Sequence, residues 1–281
     1  MILKHALLAP YAPPTNPWTG ADKRQPLKDI EYKAWSHGPR YTLYDTLLDQ
    51  RLATRCQALL LINRQIRDET KDILRRLGKP SYQLDVMVVN EWELWPTWLS
   101  VPVLRSHLDE VNVNFRIFGH CIVYENWRHT RGDGGHDGLE WCFYAMLERF
   151  VVHGPLTEPA MSDQQAPRFY INTLTLNIES DAFEKYLPSD PRWEEYKGAR
   201  ERHHRSIPQP DSSFFPLLPE WLAKDLYCEI DRLIGYSYHP DRYGDILYDN
   251  VGKIRMLQEG RLVREVDLAE RVARSERESL I

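Results

Sequence analysis

The chain has 281 residues, with 36 lysines and arginines against 41 aspartates and glutamates, for a formal net charge of −5. Hydrophobic residues make up 42% and charged residues 27%, a globular mix that excludes a disordered acidic chain, a collagen-like chain and a generally basic nucleic-acid coat. At roughly 100–200 residues per domain, the length suits one large domain or two small ones, and either can bury a sizeable core.

The four cysteines, Cys56, Cys121, Cys142 and Cys228, are scattered and include no C-x-x-C pair. That leaves no zinc ribbon or thioredoxin motif, and it suits a reducing compartment. No N-x-S/T site occurs. The apolar start, Met1 to Pro10, is broken by Lys4 and His5. It is too short to span a membrane and lacks the basic region and cleavage site of a signal peptide. No later segment reaches about 18 uninterrupted apolar residues. The expectation is an intracellular protein, cytoplasmic or nuclear, with no membrane partner.

Residues 10–40 hold six prolines, which fix φ and remove donors, so an irregular arm over the surface is predicted, pinned by Trp18, Tyr32 and Trp35. Apolar positions Leu59, Ile62, Ile66, Ile73 and Leu77, with Thr70 filling the gap, predict one core-packing helix from about Ala53 to Leu77. Arg64 with Asp68 and Asp72 with Arg76 lie on its opposite side as i, i+4 charge pairs, and Gly78 and Pro80 stop it. Strand-period alternation marks residues 82–88, 111–117 and 174–178, which implies one buried face and one wet or covered by polar contacts. Trp92, Trp95 and Trp98, three residues apart, read as core tryptophans at helical spacing that bury area against a sheet.

A second helix follows a glycine-rich loop, with Asp137 as N-cap and Glu140 completing a capping box. Its stripe is Leu139, Cys142, Phe143, Met146, Leu147 and Phe150, and Gly154-Pro155 ends it. Residues near 157–168 and 187–217 read as mobile insertions. A third helix is predicted from Pro219 to Ile234, capped by Gly235, with Leu222, Leu226, Ile230 and Leu233 inward. Residues 254–266 form a hairpin around Glu259-Gly260, and a short charged helix from Asp267 closes the chain. The irregular alternation of helices and strands favours α+β architecture: a single domain, 1–281, of amphipathic helices on a small mixed or antiparallel sheet.

The richest chemistry lies between His120 and Asp137, where His129, Asp133 and His136 share a glycine-rich loop. Imidazoles and carboxylates are suitable ligands for a divalent metal. The spacing matches no recognised site, however, and Gly135 and Tyr144 stand where an EF-hand needs oxygen ligands. A phosphate cradle lacks both glycine-rich signatures, and Asp133 and Asp137 would repel the anion. Tyr236, Tyr238, His239, Tyr243 and Tyr248 form an aromatic cluster suited to a ligand pocket or to packing. The run Arg200 to Arg205, with its interleaved Glu201, is too short for nucleic acid, which is not an expected partner. No G-x-S-x-G occurs, and no catalytic residue is identifiable. The candidate binding residues are therefore His120, His129, Asp133, His136, Asp137, Tyr238 and His239. No cofactor and no resident metal ion is expected.

Residues 59–70, Leu-Leu-Leu-Ile-Asn-Arg-Gln-Ile-Arg-Asp-Glu-Thr, resemble the "LLxVNRQIxxEA" helix of a large group of uncharacterised filamentous-fungal proteins. Many of these have an F-box-like N-terminal segment whose helix ends much like Leu7-Leu8-Ala9-Pro10. Gly235 to His239, Tyr243-Gly244 and Ile246-Leu247-Tyr248 resemble the C-terminal part of some members. The resemblance implies an intracellular fungal adaptor with a degenerate F-box-like helical part at 1–80, followed by a sheet-containing part at 81–281. It implies a protein partner such as a cullin-ligase adaptor, and it supplies no catalytic residue. The functional expectation is a non-enzymatic interaction protein; the alternative is an enzyme or ligand-binding protein using the His120–Asp137 loop.

Overall fold

The computed structural model describes residues 2–17, 21–26, 42–46, 55–89, 93–118, 138–155, 168–179, 219–234 and 245–271. In chain order the elements are α1 (Ile2–Leu8), β1 (Arg24–Pro26), β2 (Thr42–Thr46), α2 (Arg55–Ile62), α3 (Arg64–Arg76), β3 (Ser81–Val89), β4 (Glu93–Ser100) and β5 (His107–Phe118). They continue with α4 (Gly138–His153), β6 (Tyr170–Glu179), α5 (Pro219–Ile234), α6 (Asp245–Asn250), β7 (Val251–Gln258) and β8 (Arg261–Asp267). The architecture is α+β with a mixed sheet. Seven strands run in the order β2-β4-β3-β5-β6-β7-β8, and the three-residue β1 adds antiparallel at the β2 edge.

The centre of the sheet is parallel. β3, β5, β6 and β7 run the same way as neighbours, while β4 and β8 pair antiparallel at either side. The register brings Val86, Phe115 and Ile178 level across three of these strands, and Val113, Leu176 and Met256 level across another three. These side chains share one face with Tyr82, Leu84, Val88, Val111, Leu174 and Ile254, because successive residues of a strand point to opposite sides. All of them are buried in one cluster with Cys142, Phe143, Met146, Leu147 and Phe150 of α4, Leu222, Leu226, Ile230 and Leu233 of α5, and Ile246 and Leu247 of α6. Helices following β5 and β6 thus lie on the same side, as expected of crossovers of one hand that step in one direction along a parallel sheet.

Three sequence expectations change. The helix predicted over 53–77 is broken at Asn63, whose backbone is extended and whose side chain accepts a hydrogen bond from the Ile66 amide at 2.9 Å. An asparagine is as good an N-cap as a helix can have, so the local bond starts α3 afresh and ends α2. Of the two charge pairs expected there, Asp72 is held by Arg76 at 2.5 Å and by Arg75 at 3.6 Å, whereas Arg64 and Asp68 do not pair. The tryptophan segment is strand β4, not a helix. Trp98 therefore faces the main cluster and Trp95 the opposite side. The interior Pro96 is tolerated because β2 pairs with β4 only at Glu93 and Leu94, so no partner needs the missing N–H.

The first 80 residues contribute both helices and strands. α1, α2 and α3 touch one another, and β1 and β2 belong to the sheet. From α1 the chain returns along the sheet, where the Tyr11 amide donates to the Leu99 carbonyl at 2.8 Å. At the other end the β7–β8 turn places Glu259 at φ 51° and Gly260 at φ 74°. That conformation suits glycine but strains glutamate. The strain is offset where the Glu259 amide donates to the Ile178 carbonyl and the Gly260 amide to Asn177 Oδ1, each at 2.9 Å. The predicted closing helix begins at Leu268, with Asp267 Oδ1 accepting from the Glu270 amide. Trp18, Tyr32, Trp35 and the insertions near 187–217 lie outside the described residues, as do all but the last residue of 157–168.

Asn63→Ala removes the α3 cap and is expected to cost about 1 kcal/mol in urea unfolding, with helix content falling at the α2–α3 junction. Asn63→Asp, which keeps the acceptor, should restore most of that stability.

Candidate functional site

The strand alternation that buries one face of the sheet sends polar side chains to the other. Asp85, in the middle of β3, and Arg116, two residues from the end of β5, both lie on it. The pair is bidentate: Arg116 Nε donates to Asp85 Oδ1 and Arg116 Nη2 to Asp85 Oδ2, both at 2.7 Å. Asp85 is 1% exposed. Arg116 Nη2 also donates to the Pro14 carbonyl at 2.7 Å, so the same guanidinium ties the N-terminal arm to the sheet. Planar guanidinium is the group suited to two-pronged carboxylate recognition with a spare donor.

Beside this pair lies a second, smaller apolar cluster, formed by Met87, Val89, Trp95 and Phe118 with Tyr44 packed against it. The Arg116 guanidinium sits 5.2 Å from the Phe118 ring centre, and Arg24 of β1 sits 5.4 Å from that of Trp95. Arg24 also donates to the Pro96 carbonyl at 2.9 Å and to the Thr97 hydroxyl. Thus β1, itself only three residues long, is held to β4 by one long side chain. Tyr44 and Trp95 are tilted against each other with ring centres 5.0 Å apart.

Glu93 is the unusual member. It is 7% exposed, and it accepts a hydrogen bond from the Trp95 indole N–H at 2.8 Å. No cation pairs with it among the described residues. Burial pushes its carboxyl above the ordinary glutamate range, against a smaller lowering by the indole hydrogen bond. Burial likewise raises the Tyr44 phenol, and the nearby Glu93 charge raises it further. A carboxyl in an aromatic setting of this kind keeps its proton at higher pH than a solvated one. It is a proton-holding group, but no nucleophile and base are paired beside it among the described residues.

Across β5 and β6 the same face carries a chain of side-chain hydrogen bonds. Thr175 donates to Glu110 Oε1 at 2.9 Å, and Asn177 Nδ2 donates to Asn114 Oδ1 at 2.7 Å and to Glu179 Oε1 at 3.2 Å. With the Gly260 amide on its Oδ1, Asn177 uses both its donors and its acceptor and links β5, β6 and the β7–β8 turn. These groups satisfy one another, as buried polar groups must.

The residues singled out from sequence, His120, His129, Asp133, His136, Asp137, Tyr238 and His239, all lie outside the described residues. Of the tyrosine cluster, Tyr248 is described, and its hydroxyl donates to the Ile234 carbonyl at 2.8 Å. That contact is a packing role, fastening α6 to the end of α5. Among the described residues no group of histidine, cysteine, aspartate and glutamate is placed to hold a metal ion, and no helix is long and apolar enough to cross a membrane. Cys56, Cys142 and Cys228 are thiols and not disulfide partners. Sequence reasoning missed Asp85, Arg116 and Glu93. Its one signal for them was alternation, which places Asp85 at a polar position of a strand otherwise rich in valine. No protein-family model, no curated protein and no solved structure matches the chain.

Two substitutions separate these roles. Asp85→Ala leaves Arg116 uncompensated in a nearly dry site and should cost about 3 kcal/mol in chemical denaturation. Glu93→Gln keeps an acceptor for the indole. The folded-state pKa of Glu93 is raised, so its contribution is whole below about pH 4.3, the unfolded value, and is lost as pH rises through the folded value. Melting temperatures of wild type and Glu93→Gln should therefore be close at pH 4 and diverge toward pH 7, with the variant the more stable.

Proposed function

We propose that this chain is a non-enzymatic protein-interaction protein, an adaptor whose docking surface is the helical corner formed by α1, α2 and α3. The observation that carries the reading is the exposure of apolar side chains on that corner: Leu61 is 84% exposed and Ile62 58% exposed at the end of α2, and Ile2 is 84% exposed on α1, which packs on α2. Isolated exposed apolar residues are ordinary, but a group of aliphatic side chains on touching helices marks a surface that another molecule covers. The resemblance of residues 59–70 to the fungal group supports the same corner and makes a cullin-ligase adaptor the first partner to test. It also supports an intracellular location, cytoplasmic or nuclear, and a fungal origin.

A second reading rests on connectivity. The chain leaves β5 at Phe118 and enters α4 at Gly138, so the His120–Asp137 segment joins the carboxyl end of a parallel strand to a helix start. That is the position from which sheets with parallel strands bind ligands. It favours a ligand-binding or metal-dependent role for that segment.

One preparation distinguishes the two. Tagged wild type and Leu61→Asp/Ile62→Asp are carried through a pull-down from fungal lysate, with elemental analysis of the purified chain. The adaptor reading expects a cullin-ligase adaptor in stoichiometric amount with wild type and at least about tenfold less with the variant, since two buried apolar contacts exceed 1.4 kcal/mol. No partner, together with one equivalent of zinc or manganese, would overturn it in favour of the histidine segment.

A further inference from the structure

The helical corner is charged opposite to the rest of the chain. Residues 2–8 and 55–79 contain eight lysines and arginines against three acids, a balance of +5, whereas the remaining residues carry 28 against 38, or −10. Within α3, Arg64, Arg67 and Lys71 fall at spacings of three and four and so line one side of the helix, with Asp68 among them, four residues from Arg64 and three from Lys71. All three are exposed, and none forms an ion pair with any described residue. Asp72 engages Arg75 and Arg76 on the adjoining side, so the carboxylate nearest the end of the stripe neutralises other cations. The inward side, Ile66, Thr70, Ile73 and Leu77, is only partly covered apart from Thr70. The stripe begins two residues beyond the exposed Leu61 and Ile62, across the Asn63 cap. An exposed aliphatic pair at the end of α2 is therefore followed directly, across the Asn63 cap, by a row of unpaired cations on α3.

We infer that the corner takes an acidic amphipathic helix of a partner protein, whose apolar face covers Leu61 and Ile62 and whose carboxylates lie along Arg64, Arg67 and Lys71. This rests on the adaptor reading and states the chemistry of its partner. Helix-in-groove recognition requires both elements, an apolar anchor for affinity and complementary charge for orientation and choice of partner. An acidic helix fits better than a phosphate-rich surface. Asp68 and Glu69 are exposed between the cations and would repel a polyanion, and three free cations provide few of the contacts on which nucleic-acid affinity rests. A peptide helix can meet Asp68 with a single basic residue and leave Glu69, which lies off the row, facing water.

The test uses the full-length chain and two labelled synthetic helical peptides with the same leucine stripe, one flanked by glutamates and one by lysines, read by fluorescence anisotropy. The acidic peptide is expected to bind, to weaken as salt is raised, and to outcompete the basic one by about tenfold or more, since three exposed charge contacts of several tenths of a kcal/mol each make about that factor. Arg64→Glu/Arg67→Glu/Lys71→Glu should invert the preference. Because these side chains are exposed, the variant's thermal melt should match wild type, so loss of folding is separable from loss of binding. Equal binding of both peptides, dependent on Leu61 and Ile62 but not on the cations, would overturn the inference and leave the adaptor reading standing. Binding of neither peptide would overturn the inference, and an empty pull-down beside it would remove the adaptor reading as well. Tighter binding to phosphatidylserine vesicles than to the acidic peptide, lost in the triple variant, would replace the partner helix with a membrane surface.

Discussion

A sheet whose central strands are parallel ordinarily buries both faces, and the two faces of this one are unlike. One is an aliphatic and aromatic core under α4, α5 and α6. The other is polar, and its keystone is the bidentate bond between Asp85 and Arg116, because the same guanidinium also holds the Pro14 carbonyl. Without that bond the arm would lose its anchor to the centre of the sheet, and the α1–α3 corner would be joined chiefly through the Tyr11–Leu99 bond, the Arg105 contact to the Leu74 carbonyl and the turn before β3. The ion pair thus links strand packing to the position of the proposed docking surface.

The polar face explains other features of the fold. Polar groups withdrawn from water cost free energy unless partnered, and here the buried Thr175 and its half-buried neighbours bond in sets: Glu110 with Thr175, Asn114 and Glu179 with Asn177, Asn177 with the β7–β8 turn. Such sets act with the apolar pattern on strand register, since a shift by one residue would send every one of these side chains to the other face. Glu93 departs from this pattern, with one indole N–H as its partner and a carboxyl whose pKa is raised by burial. Its cost is borne in the fold at neutral pH, next to the short β1 strand that Arg24 pins in place.

Elements whose signal is local were legible in the sequence. Alternation located β3, β5 and β6, a clean stripe between Pro219 and Gly235 located α5, and Glu259-Gly260 located the β7–β8 hairpin. What the sequence hid was set by long-range partners. β1 and β2 are three and five residues long, have no strong pattern, and exist because β4 is there to pair with. The tryptophans of β4 sit at a spacing of three, which suits a helix, yet in a strand it sends Trp95 and Trp98 to opposite faces where two separate clusters need them. Asn63 read as one more polar residue on a long helix, although its capping bond divides that helix in two. The candidate site was less legible still: alternation announced a polar face, but Asp85 and Arg116 are 31 residues apart and nothing in a single sequence joins them. Parallel order, too, depends on crossover connections whose direction no local pattern records.

The ion pair couples the centre of the sheet to the helical corner, and amide hydrogen exchange on Asp85→Leu/Arg116→Met measures that coupling directly. Replacing both partners with apolar side chains keeps the buried site free of an unpaired charge, so the sheet stays folded while the bond to Pro14 is lost. The account predicts that the Tyr11 amide, which donates to Leu99 in the wild type, exchanges about tenfold faster or more, together with the amides of α1, while Val113 and Leu176 in the core strands keep their protection. Unchanged protection at Tyr11 and α1 would contradict it, and would mean that the arm and the helical corner are held to the sheet without the ion pair.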